Sequence, residues 1–110
     1  MTADAFRNEA LRLPEVEESS HMGHPDFRVN GKVFATLGYP DAAWGAVNVS
    51  PEHQRALVES DPDAFVVAKG AWGARGSTLV KLRTAKTPAV REALEFAWER
   101  RQAKGKRSKA

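Results

Sequence analysis

The sequence contains no cysteine, and it has no apolar stretch long enough to cross a membrane. Without cysteine the chain can form neither a disulfide nor a thiolate zinc site, so nothing in it indicates an oxidising compartment. A transmembrane helix needs roughly 20 mostly apolar residues, and the N-terminus lacks the basic start and apolar run of a signal peptide. These absences predict a cytoplasmic protein that makes no contact with a membrane.

The chain also lacks the length for more than one sizeable core. Its 110 residues, 42% of them hydrophobic, fit one domain, because chains usually divide into several domains only when they are considerably longer. We expect this domain to occupy residues 1–102 and a basic, frayed tail to follow at residues 103–110.

Positive charge is concentrated at the end of the chain. Residues 1–99 contain 11 basic and 14 acidic residues, a formal charge of −3, whereas the last eleven residues contain six basic residues and no acidic one. A basic tail can neutralise the phosphates of a nucleic acid, but solvated lysine-rich ends are also common in proteins that bind none. The tail by itself leaves both interpretations open.

Hydrophobic spacing predicts a helix over residues 3–13 and then an antiparallel meander. Phe6, Ala10 and Leu13 recur at the spacing of one helical face. Pro14 ends this helix, because the residue before a proline is pushed out of the helical region. The three strands of the meander are expected at 27–29, 32–37 and 43–49, and a first strand near residues 19–22 would make four before the second helix.

Asn30-Gly31 is the strongest local structural signal in the chain. This dipeptide favours the two positive φ values of a type I′ turn, so a two-residue hairpin is expected here. In that register Val29 pairs with Lys32. Phe27 pairs with Phe34, which places both aromatic side chains on the core face of the sheet.

The second half of the chain predicts two helices and two strands. Ser50 before Pro51 is typical of a helix start, because serine caps free backbone amides and proline needs no donor at the first helical position. Thr87-Pro88 repeats this pattern. The glycine-rich segment 69–76 predicts an irregular loop. The expected elements are a helix at 51–60, strands at 65–68 and 77–83, and a helix at 88–101.

The order α-β(3)-α-β(2)-α defines a two-layer α+β domain with helices packed against an antiparallel sheet. Four segments carry a resemblance to a known family: Leu11-x-Leu-Pro14, His24-Pro-Asp-Phe-Arg-Val-x-Gly-Lys-Val-Phe-Ala35, Trp44-Gly45 and Gly70-x-Trp-Gly73. Over residues 2–102 the chain resembles the MmcQ/YjbR family of small bacterial proteins. The resemblance implies a fold similar to that of type III secretion chaperones and a "double-wing" DNA-binding function.

The resemblance and the charges together predict a non-enzymatic binding domain that contacts DNA. Its glycine-rich hairpin loops would act as wings, and basic residues near them would meet phosphates. The segment 69–76 combines two cations with an aromatic ring that can stack on a base, although a hairpin with a packed tryptophan would give the same pattern. The predicted contact residues are Arg28, Lys32, Lys69, Trp72, Arg75, Lys81 and Arg83.

A protein- or peptide-binding adaptor is the main alternative function. It is favoured by the similarity to secretion chaperones, by the acidic body of the chain and by Phe96. Phe96 falls outside the buried stripe of the last helix, so it is expected either at the flank of that helix or in contact with another element or chain. An exposed apolar patch would favour the adaptor.

His21, His24 and Asp26 are the residues from which a small-molecule or catalytic site could be built. The histidine spacing does not reproduce a helical zinc motif, and no motif places a nucleophile beside them. We therefore expect no metal, no cofactor and no enzymatic activity. A site of this kind would require the three side chains to converge on a pocket.

Overall fold

Four helices and six strands form the part of the chain that the structure describes. A computed structural model describes residues 1–107, with side chains as far as Gln102. In chain order the elements are α1 (Ala3–Leu11), β1 (Glu17–His21), β2 (His24–Val29), β3 (Lys32–Leu37), β4 (Trp44–Asn48), α2 (Pro51–Ser60), β5 (Phe65–Val67), α3 (Gly70–Ala74), β6 (Ser77–Lys81) and α4 (Thr87–Arg107).

The six strands form one antiparallel sheet in the order β1-β2-β3-β4-β6-β5. α1 and α4 pack against the middle of this sheet. Burial alternates along β4 and β6, so that Val47 and Val80 lie in the core while Ala46 and Leu79, which are paired across the two strands, are only half-buried. The alternation follows from the two-residue period of a strand with one covered face.

The α+β class and the two-layer architecture that the sequence predicts are confirmed, with two differences in element order. Four strands, not three, precede α2, and a short helix, α3, lies between β5 and β6. β1 gave only a weak sequence signal because it is an edge strand with all five side chains exposed. Its turn, Met22-Gly23, has φ values of 51° and 81°, and methionine is not a residue that usually signals a left-handed turn.

Asn30-Gly31 forms the predicted two-residue turn. The φ values are 55° and 73°, and Val29 pairs with Lys32. Replacing Gly31 with alanine is expected to lower the free energy of unfolding by about 1 kcal/mol, because an L side chain is strained at this φ while the new Cβ would meet nothing within 4 Å. Urea denaturation measures the change. Asn30→Gly is the control and should change stability little; equal stability of Gly31→Ala and the parent protein would contradict the prediction.

The predicted pairing of Phe27 with Phe34 is wrong by one residue. Arg28 pairs with Val33 but Phe27 pairs with Ala35, so Phe34 is the extra residue of a β-bulge. Both phenylalanines are nevertheless fully buried. With the bulge, the consecutive residues Phe34 and Ala35 are both buried, and Val29 still pairs with Lys32.

The glycine-rich segment 69–76, predicted to be an irregular loop, contains the five-residue helix α3. Gly70 begins this helix with φ 69°, and Gly76 follows it with φ 113°. Gly73 is buried, and a Cβ built there would lie 1.7 Å from the carbonyl oxygen of Ala68. Gly73 and Gly76 permit the backbone of this segment to pack closely on its neighbours, so the segment is not the irregular loop that the sequence predicted.

α4 carries the predicted buried stripe and extends beyond its predicted end. Val90, Ala93, Leu94 and Ala97 are buried, and the helix continues to Arg107, five residues into the segment expected to be a frayed tail. Residues 108–110 of that tail lie outside the described part of the chain. Within residues 1–107, no helix is long and apolar enough to span a bilayer.

Candidate nucleic-acid interface

One end of the sheet brings together connections that are far apart in sequence. The register places the β2–β3 turn, the link from β4 to α2 and the segment containing α3 at the same end, because Val29 pairs with Lys32 and Asn48 pairs with Ser77. The last turns of α4 arrive at this end too. There the side-chain amide of Asn30 donates to Oε1 of Gln102 at 2.6 Å.

Two consecutive arginines of α4 tie these connections together. Arg100 donates from Nη1 to the carbonyl oxygens of Val49 and, at 3.3 Å, Arg75. Arg101 donates from Nε to the carbonyl oxygen of Val33 at 3.1 Å. Lys32 directly precedes Val33, and Lys69 occupies the N-cap position of α3. We term the resulting cluster the basic end; it consists of Lys32, Lys69, Arg75, Arg100 and Arg101.

The cations of the basic end keep their charge available. Among the described residues, none of the five forms a salt bridge with a carboxylate; Arg100 and Arg101 bond to uncharged carbonyl groups. Glu99 lines a cleft together with Arg100 but does not pair with it. Burial, and then the neighbouring charge of Arg100, hold the pKa of Arg101 below its ordinary value. The like charges of Arg100 and Arg101 favour an external anion.

Trp72 is the exposed aromatic residue of the basic end. Its side chain is 70% exposed, so the interpretation of this segment as a hairpin with a packed tryptophan is wrong. Trp72 lies in the middle of α3, three residues after its N-cap residue, Lys69, and three residues before its C-cap residue, Arg75.

The structure brings together four of the seven predicted contact residues. Lys32, Lys69, Trp72 and Arg75 lie at the basic end. Lys81 pairs with Trp44 at the opposite end of the sheet, and Arg83 follows it there. Arg28 lies on the face of the sheet away from the helices, beside Asp26.

Arg100 and Arg101 were missed as members of this cluster by sequence reasoning. Both were counted with the basic tail, because the sequence shows that they are close to the C-terminus and does not show which loops they meet. The only available signal was their position one turn beyond the buried stripe of the last helix.

Asp26 is the centre of a second polar cluster. It is fully buried, and its carboxylate accepts two hydrogen bonds from Arg28, at 2.9 and 3.0 Å. Nδ1 of His21 lies 2.6 Å from Oδ2 of the same carboxylate. Arg28 is the main reason that the pKa of Asp26 lies below its ordinary value of 3.8; burial opposes this shift and His21 adds to it. The charge of Arg28 is therefore already neutralised.

His24 does not join the cluster of His21 and Asp26. Its ring meets that of Tyr39 edge to face, with centroids 6.0 Å apart. The described residues include no group of three or more histidine, aspartate and glutamate side chains arranged to hold a metal ion. Two surface clefts, one beside Phe96 and one beside Trp98, are lined by other residues. The three candidate residues thus do not converge on a pocket.

The ionisation of Asp26 makes the free energy of unfolding depend on pH in the acid range. Because its folded-state pKa is lowered, its contribution is complete above the unfolded-state pKa near 4 and is lost as the pH falls through the folded-state value. Asp26→Asn is expected to lower the free energy of unfolding at pH 7 and to reduce its fall between about pH 5 and pH 2. Urea denaturation across this range measures both effects. Glu9→Gln is the comparison: Arg91 lowers the pKa of Glu9 in the same direction, so this variant should also reduce the fall of stability in acid. Curves of equal slope for Asp26→Asn and the parent would contradict the prediction.

Phe96 is in contact with another element, one of the two placements that its position in the sequence allows. Its ring stacks on that of His53 from α2, with centroids 3.8 Å apart and planes 10° apart. It is partly buried and packs against the core. Phe96 thus joins α2 to α4 and no longer favours a partner-binding surface.

The fold and the site define the chain as a small two-layer α+β domain with a cationic end. Comparison with known proteins gives its family: the YjbR family model matches residues 11–100, and the chain belongs to that family. The crystal structure of Deinococcus radiodurans protein DR2400, which contains a DUF419 domain, is similar in fold, with a TM-score of 0.73 and 18% sequence identity over 88% of this chain and 75% of that one. A search of curated proteins gives no match.

Proposed function

We propose that the protein binds DNA through the phosphates that its basic end can contact. The observation that carries this proposal is the meeting of five cations at one end of the sheet without a carboxylate partner among the described residues. Phosphate groups are the ligands that such unpaired arginines and lysines favour, and their neutralisation supplies most non-specific affinity for nucleic acid.

The basic tail supports the same proposal by its position. α4 leaves the basic end and continues from Gln102 to Arg107, which adds roughly 7 Å of helix at 1.5 Å per residue. The sequence of this extension carries three more basic residues, at positions 104, 106 and 107. These charges would add to the electrostatic attraction between the protein and a bound strand.

A salt-dependent titration tests the proposal. Fluorescence anisotropy of labelled single-stranded and duplex oligonucleotides is measured at roughly 50 and 200 mM salt. We expect binding at the lower concentration and a loss of affinity of about 10-fold or more at the higher one, since several phosphate contacts are made. Undetectable binding at both concentrations, or an affinity that does not change with salt, would overturn the proposal.

A protein-binding adaptor is the second candidate, and the edge strand β5 is the observation that favours it. Val66 and Val67 are 40% and 46% exposed on this strand, which pairs on one side only, with β6. Unpaired edges with apolar side chains can accept another strand. Sedimentation velocity over a range of protein concentrations, and with added extended apolar peptides, would show this association. A protein that stays monomeric at every concentration and binds none of these peptides would count against the adaptor.

A further inference from the structure

Trp72 makes no described side-chain hydrogen bond and does not belong to the hydrophobic core. All the phenylalanines are fully or partly buried in the core, and the indole of Trp98 is anchored to the carbonyl oxygen of Pro14 at 2.9 Å. Trp72 instead presents 70% of its side chain to solvent, beside cations that form no described salt bridge. A large apolar side chain kept in water at a charged surface indicates a ligand that offers it an apolar face.

The helix that carries Trp72 is fixed in place. The buried side chain of Gln54 donates from Nε2 to the carbonyl oxygens of Gly73 and Ser77, at 3.0 Å each. Arg100 holds the carbonyl oxygen of Arg75. Because Gly73 also packs directly on Ala68, α3 cannot easily turn to bury the indole. The backbone that carries the ring is therefore fixed in advance of binding, which lowers the entropy cost of a stacking contact.

The two cations beside Trp72 identify the class of ligand. Lys69 and Arg75 cap the two ends of α3, with Trp72 between them, so a chain with alternating flat rings and negative groups would satisfy all three side chains. Nucleic acid has this composition, but in a duplex the faces of the bases are already stacked on one another. An unpaired base leaves its face free, and stacking on an aromatic side chain tolerates any base.

We propose that Trp72 stacks on an unpaired base, so that the ligand of the basic end is single-stranded nucleic acid in preference to duplex. This inference rests on the proposed function, since Lys69 and Arg75 would hold the phosphates on either side of the stacked base. It adds a preference between strand forms that phosphate contacts alone do not create.

Three oligonucleotides of equal charge separate stacking from phosphate binding: a single strand, a blunt duplex of half its length and therefore with the same number of phosphates, and a single strand that lacks bases at its central positions. We expect Trp72→Ala to weaken binding of the intact strand by about 5- to 150-fold, the factor that corresponds to 1–3 kcal/mol per stacked base. Binding of the duplex and the abasic strand should stay within about 2-fold. Trp72→Phe should restore most of the lost affinity. Tyr39→Ala, which removes an exposed aromatic ring at the opposite end of the sheet, is the control and should change nothing.

Each other outcome has a definite meaning. No binding of any oligonucleotide by the parent protein overturns the proposed function and this inference with it. Equal binding of single strand and duplex, unchanged in Trp72→Ala, overturns the inference alone. If the parent self-associates and Trp72→Ala becomes monomeric, the ring serves a protein contact and the inference fails. Circular dichroism checks the fold of each variant, which should be unchanged because Trp72 is mostly exposed.

Discussion

Replacing Gly76 with alanine is expected to lower the free energy of unfolding by about 3 kcal/mol or more. The new Cβ would lie 1.7 Å from the carbonyl oxygen of Val49 and 3.0 Å from Nη1 of Arg100. The backbone φ of 113° at this position is also one that L side chains rarely adopt. Relief of the clash requires α3, the link to α2 and the end of α4 to move apart. Urea denaturation measures the loss.

Gly70→Ala is the matched control for this variant. Gly70 begins α3 with φ 69°, but a Cβ there would meet nothing within 4 Å. Its substitution should therefore cost only the strain of the left-handed conformation, about 1 kcal/mol. Equal losses in the free energy of unfolding for Gly70→Ala and Gly76→Ala would mean that the close approach of Gly76 to Val49 does not constrain the fold.

Removing three charges from the basic end is expected to lower affinity for single-stranded DNA by about 100-fold near 0.1 M salt, because each phosphate of a single strand that is no longer neutralised reduces the salt slope by about 0.7 unit. The variant is Lys32→Ala, Lys69→Ala and Arg75→Ala combined. Arg100 and Arg101 are left intact because their side chains also hold backbone carbonyls. Anisotropy titration at fixed salt measures the change.

The control removes the same charge from the opposite end of the sheet. The control variant combines Lys81→Ala, Arg83→Ala and Lys86→Ala, three exposed positions near that end. We expect this variant to bind within about 3-fold of the parent, the residual effect of net charge acting at a distance. Equal losses in the two triple variants would show that affinity follows total charge and that the basic end is not the contact surface.

The sequence predicted those features that local spacing determines. The spacing of Phe6 and Ala10 marks the buried face of α1; Leu13 is also buried, but it lies two residues beyond the end of the helix. Asn30-Gly31 determined its turn through two residues that accept positive φ. The family resemblance, carried by motifs spread along the chain, agrees with the YjbR match.

Features that depend on contacts between distant segments were not predictable in the same way. The bulge at Phe34 follows from packing in the core, and the short helix α3 is stabilised by Gln54, almost twenty residues away in sequence. Glycines at 70, 73 and 76 are compatible with a loose loop as well as with close packing, and only the surroundings of Gly73 and Gly76 decide between them.

The candidate site shows the same division. Counting cations found Lys32, Lys69 and Arg75, but it also included Lys81 and Arg83, since a sequence does not show which end of a sheet a residue occupies. Arg28 was also included, because the sequence does not show that its charge is paired. Its partner, Asp26, lies two residues away on the same strand, and the two hydrogen bonds between them form only because both side chains share a face. Arg101 was not included, because the hydrogen bond that brings it to the basic end joins it to Val33, 68 residues away in sequence.

Mapping of the bound strand onto backbone amides by NMR tests the central claim most directly. Titration of the uniformly labelled protein with a single-stranded oligonucleotide should shift the amides of three segments: the turn at 30–33, α3 with its flanks at 69–76, and the last described turns of α4. The chemical shifts of the amides around Lys81 and Arg83, and of those in the Met22-Gly23 turn, should not change. Shifts concentrated at that opposite end, or along the edge strand β5 without the turn at 30–33, would contradict the assignment of the basic end as the nucleic-acid interface.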